Sequence, residues 1–102
     1  MTIRDWLDAR TPAPPARLRA RIDEMLGNRA LGPASNTTAE MITVAETTLR
    51  ELVARPCVGR ELALDLLAVD ALTTYAFEAA AAEPEQMDAR ANEAMLRFSG
   101  LA

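Results

Sequence analysis

Two aspartates, Asp65 and Asp70, interrupt the most apolar stretch of the chain, LALDLLAVDALTTYAF over 62–77. A carboxylate in such a setting needs a partner, because burying an unpaired charge is costly. It could orient a cation or a polar group of a small molecule. Five residues apart on a helix, the two side chains point about 140° away from each other, so they cannot make a carboxylate dyad by themselves. Thr74 and Tyr75 follow Asp70 by about one turn. Asp65, Asp70, Thr74 and Tyr75 are therefore the candidate ligand-contacting residues, beside an apolar pocket. The structural alternative, which is the expected one, pairs each aspartate with an arginine at a seam between helix faces, or bonds Asp70 to Thr73 or Thr74. Cys57 lies between Arg55 and Arg60 ahead of a long helix, a setting that favours a reactive thiolate. A small apolar filler is its expected role.

What is missing narrows the chemistry further. The basic residues are eleven arginines; there is no lysine and no histidine. Ser-His-Asp and Cys-His catalysis, imidazole metal sites, Schiff bases and phosphate-loop lysines all lack their parts. Carboxylate-bridged di-iron bundles need Glu-x-x-His motifs, and Glu40, Glu46 and Glu51 fall on the outer face of their helix. No residue is assigned a catalytic, cofactor-binding or metal-ligating role, and no cofactor is expected. Arg17, Arg19 and Arg21 make a basic stretch, yet the net charge is −4, the wrong sign for a phosphate-binding surface. The expected role of these arginines is a solvated face that pairs with the chain's own acids, not contact with nucleic acid. One cysteine cannot close an internal disulfide. The opening MTIRDWLDAR lacks the apolar run of a signal peptide, and no stretch reaches 18 uncharged apolar residues. The expected location is the cytoplasm, away from membranes.

The elements that must position these residues are helices. Half of the 102 residues are hydrophobic but only 4% are aromatic, so Leu, Ala, Val and Met supply the apolar mass. At this size about 65% of the unfolded surface can be buried in one core. Thr2 and Asp5 predict a capping box for a short helix over 3–9, with Ile3, Trp6 and Leu7 on one side. A Pro-rich linker then leads to a helix over 15–26 with Leu18, Ile22, Met25 and Leu26 inward, stopped by Gly27. Residues 27–36 read as a loop. Thr37 and Glu40 predict a second capping box, for a helix to residue 54 with a stripe of Met41, Val44, Ala45, Thr48, Leu49, Leu52 and Val53. Glu46–Arg50 and Glu51–Arg55 mark its solvated side.

The longest helix is expected over 58–82. One face carries Leu62, Leu66, Val69, Thr73, Ala76, Phe77 and Ala80. Nearly opposite lie Leu64, Leu67, Ala68, Ala71 and Tyr75, so this helix should be central. A last helix over 84–98 turns Met87, Ala91, Ala94, Met95 and Phe98 inward. No strand alternation or hairpin turn occurs. Segment 68–81, AVDALTTYAFEAAA, resembles one helix of the all-α polyprenyl synthases. That family's DDxxD motifs are absent and the chain is too short for its fold, so no activity is carried over.

The sequence thus predicts one all-α domain over 1–102, with residues 1–14 as N-terminal helix and linker. It is a small bundle of four main helices plus the short one. The expected function is a non-catalytic protein–protein interaction module, binding itself as a homodimer or another helical protein. Leu64, Leu67, Ala71 and Tyr75 form the flank expected to stay open for contact, unless Ile3, Trp6 and Leu7 fold over it. The alternative is a small-molecule-binding bundle, enzymatic or not, with its pocket beside helix 58–82.

Overall fold

The computed structural model describes residues 1–54, 59–82 and 84–100, with side chains described from residue 92 onward in the last stretch. It is all-α: α1 (Ile3–Asp8), α2 (Ala16–Leu26), α3 (Thr37–Ala54), α4 (Arg60–Ala81) and α5 (Pro84–Ser99). Between α2 and α3 the expected loop is instead wound into two 3-10 turns, Gly27–Leu31 and Ala34–Asn36. Tight turns of this kind satisfy orphan backbone groups at helix ends. Cys57, Arg55, and the side chains of Met87 and Ala91 lie outside the described residues.

Helix starts and stops follow local chemistry. The Thr2 amide donates to Asp5 Oδ2 at 2.9 Å and the Asp5 amide to Thr2 Oγ1 at 3.2 Å, which closes the expected capping box on α1. Those hydrogen bonds hold the Asp5 carboxyl below its ordinary pKa, the backbone bond from Thr2 contributing most. Gly27 ends α2 at φ 53°, a left-handed conformation that suits glycine. The second expected box does not form. Thr37 is already helical, and its hydroxyl donates to the Ala34 carbonyl at 2.6 Å, because the preceding 3-10 turn runs straight into α3.

α4 is the central helix and packs on α3, α2 and α5. Its buried line is Ala68, Val69, Leu72, Ala76 and Ala80. This line runs between the two apolar faces read from the sequence. α3 takes one side and α2 the other, so the core forms where those faces meet and their far edges turn outward. Leu66 and Phe77, expected inside, are 46% and 40% exposed, and Leu67 is 57% exposed. The core continues through Ile3, Leu7, Ile22, Leu26, Met41 and Ala45. Thr38 is buried in the seam between α3 and α4 and donates to the Ala76 carbonyl at 3.2 Å.

Other apolar positions also depart from the expected facing. Val53 is 71% exposed, although Ile42 on the same side of α3 is buried. The Ile42 end of that side is covered by α5, which is tied to α3 through Arg97 and Glu46. Glu46 is accordingly not on a solvated side: it is mostly buried and receives both Arg97 and Arg50. Among the described side chains of α5 only Ala94 is buried, with Phe98 partly so, and Met95 is exposed. Contact along a single i, i+4 line leaves Met95, about 100° round from Ala94, facing outward. Leu49 is half-buried and packs against the core.

Candidate functional site

Three of the four candidate ligand-contacting residues share one cleft. Asp70, Thr74 and Tyr75 line an open cleft of about 300 Å³, together with Ala71 and Glu78 from α4 and Arg10, Thr11 and Pro12 from the linker. Spacing explains the α4 wall: positions 70, 71, 74, 75 and 78 are neighbours at i, i+4 and i+8 on one flank. The opposite wall exists because α1, packed on the two 3-10 turns, also touches α4 through Trp6. Trp6 meets Tyr75 edge-on, with ring centroids 5.9 Å apart and planes at 83°.

Arg10 sits over Trp6 at 3.9 Å from the ring centroid and donates through Nε to the Trp6 carbonyl at 3.1 Å. Its guanidinium also lies 3.9 Å from Glu78. The arginine is thereby held over the cleft instead of extending into water. Burial, reinforced by the negative charge of Glu78, raises the Tyr75 phenol above its ordinary pKa. The phenol is therefore a neutral hydrogen-bonding group and not a base at neutral pH. Asp70 is exposed and makes no hydrogen bond or ion pair within the described residues. The sequence already placed Asp70, Thr74 and Tyr75 together. It missed Arg10 as a cleft wall, although the Trp6–Arg10 spacing of four was a signal that the two could stack.

Asp65 belongs elsewhere. It accepts from Arg21 Nε at 2.6 Å and from Nη2 at 3.3 Å, a two-pronged pair across the α2–α4 seam. Arg21 also reaches Glu24 at 2.9 Å. The bond to Asp65 is the largest contribution raising the Arg21 pKa, against the opposing effect of burial. Arg19 is likewise raised: burial opposes this, but the hydrogen bonds it donates to Asp23 and Asp8 outweigh it. Two of the three residues in the basic stretch are thus neutralised by the chain's own acids. The third, Arg17, is exposed.

The expected open flank divides. Ala71 and Tyr75 are half-buried under α1, and Leu64 is half-buried beside α2. Leu67 alone of the four is exposed. Among the described residues no three His, Cys, Asp or Glu side chains are grouped to hold a metal ion, and no helix is long and apolar enough to cross a membrane. No family model, curated protein or solved structure matches the chain.

Proposed function

We propose that the protein is a non-catalytic helical interaction module that associates with itself through the outer face of α4. One observation carries this reading: Leu66, Leu67 and Phe77, 46%, 57% and 40% exposed, lie on the outer face of the longest helix. Large apolar side chains grouped on one exposed face mark contact sites in soluble proteins, and two-fold dimers are the commonest closed assemblies. The absence of histidine and lysine from the sequence supports a role without covalent chemistry.

Light scattering after size exclusion tests the proposal. A mass near twice 11.1 kDa at tens of micromolar is expected, and a mass near 11.1 kDa refutes it. Leu67→Arg should split the dimer, since it would bury an unpaired charge in the contact.

A second reading, a small molecule held in the cleft between Arg10 and Tyr75, is favoured by the grouping of Asp70, Thr74 and Tyr75 on one wall. Native mass spectrometry of the protein from its own cells tests it. A retained small molecule lost in the Tyr75→Ala variant supports this reading.

A further inference from the structure

The outer face of α4 carries a seam at alternating spacings of three and four: Arg60, Ala63, Leu67, Asp70, Thr74 and Phe77. This is the a/d pattern by which two helices pack knobs into holes. A hole in such packing is bounded by residues i, i+3, i+4 and i+7. One is present and open: a hollow of about 270 Å³ is lined by Arg60, Glu61, Ala63, Leu64 and Leu67 of α4 and by Arg17 of α2. Ala63 is the reason for the hollow, because its small side chain leaves room between Arg60 and Leu67. The charges along the seam are complementary. Arg60 and Asp70 are both exposed, and neither pairs with another residue among the described ones. They lie ten residues apart, about 15 Å along the helix.

Resting on the self-association proposed above, we infer that a second copy of this chain docks α4 against α4 in antiparallel orientation, with the two-fold axis level with residue 65. In that register Leu67 of each copy enters the other's hollow, level with Ala63. Arg60 of each copy meets Asp70 of the other, so both ends of the contact close with an ion pair, and Thr74 and Phe77 lie beyond it. Asp70 selects this register. Sliding the second copy by one heptad sets Asp70 against Leu67 and buries an unpaired carboxylate. Sliding it by two sets Leu67 against Phe77 and Asp70 against Thr74, which satisfies the carboxylate with a neutral hydroxyl only and leaves the hollow at Ala63 without its leucine. Only the first register fills the hollow and pairs the charge.

Reversing the charges tests the register in the full chain. Arg60→Asp sets two acids against each other at each end, and Asp70→Arg sets two arginines against each other. Each single variant should dimerise at least about tenfold more weakly than the wild type, because like charges in contact are repulsive. The double variant Arg60→Asp/Asp70→Arg recreates both pairs with reversed sign and should return to within about threefold of the wild type. Both residues are exposed and pair with no described residue of the protomer, so at dilutions where every variant is monomeric the helicity by circular dichroism should match the wild type. Three outcomes overturn the inference: an Arg60→Asp variant as dimeric as the wild type, a double variant no better than the singles, or a Phe77→Ala variant that weakens the dimer while Arg60→Asp does not. If the wild type is dimeric and Leu67→Arg is monomeric, those outcomes refute the register and leave self-association standing. A monomeric wild type removes both.

Discussion

The α2-facing side of α4 and its outer side start from similar material, leucines, alanines and one aspartate each, and end differently. On the α2-facing side Asp65 is 13% exposed and clasped by Arg21, and Leu72 beside it is fully buried. On the outer side Asp70 is exposed and pairs with no described residue, among Leu66, Leu67 and Phe77. Neither residue type nor local spacing separates the two aspartates. The difference is a neighbouring helix: α2 brings an arginine to Asp65 in the same chain, whereas Asp70 has only the Arg10–Pro12 linker across an open cleft and pairs with no described residue. An aspartate in an apolar stretch therefore reports a seam, and the partner decides whether that seam is internal or between molecules.

This contrast can be broken by substitution. The largest effect is expected for Leu72→Ala, which removes a fully buried side chain and should cost about 2–5 kcal/mol in chemical denaturation. A loss matching that of Leu67→Ala in the isolated protomer would erase the distinction between the two sides. Next comes Asp65→Ala, which strands Arg21 at the α2–α4 seam. A charged hydrogen bond of this kind is worth about 1–3 kcal/mol, and the partial exposure of Arg21 puts the expectation in the lower half of that range. Asp70→Ala is the matched control on the outer side and should stay within about 0.5 kcal/mol in the protomer. Equal costs for the two aspartates would show that the Arg21 clasp contributes nothing to stability.

The smallest effect is a pH dependence at α1. The Asp5 carboxyl is held below its ordinary pKa by its bonds to Thr2. The folded state thus favours the ionised form. Its contribution to stability is fully present above the unfolded-state pKa and is lost as pH falls through the lowered folded value. An NMR titration should find Asp5 titrating below 3.8, and Thr2→Ala, which removes the hydroxyl but keeps the amide donor, should bring it only part of the way back. An Asp5 that titrates normally in the wild type would mean that the box is open in solution.

Much of the candidate site was legible before any coordinates. Asp70, Thr74 and Tyr75 share a flank at helical spacing, so their presence on one cleft wall required only that residues 60–81 be helical. The cleft itself was not legible, because its other wall comes from Arg10 and the linker, some sixty residues away in sequence. The Trp6–Tyr75 contact that brings them over is a tertiary event. Glu46 was misread for a related reason: an i, i+4 pair with Arg50 looks solvent-facing until Arg97 of α5 arrives from the other side.

The all-α class, the five helices and the capping box at Thr2 are written in the sequence, because hydrophobic period, cap residues and prolines act within a few positions of themselves. Which arc of α4 faces the core was a tertiary decision. Two apolar faces of similar strength left its rotation open, and packing against α3 and α2 together settled it on the line of Ala68, Leu72 and Ala76. Burying that shared line lets one helix serve two neighbours at once, and the cost is the apolar edge of Leu66, Leu67 and Phe77 left facing outward.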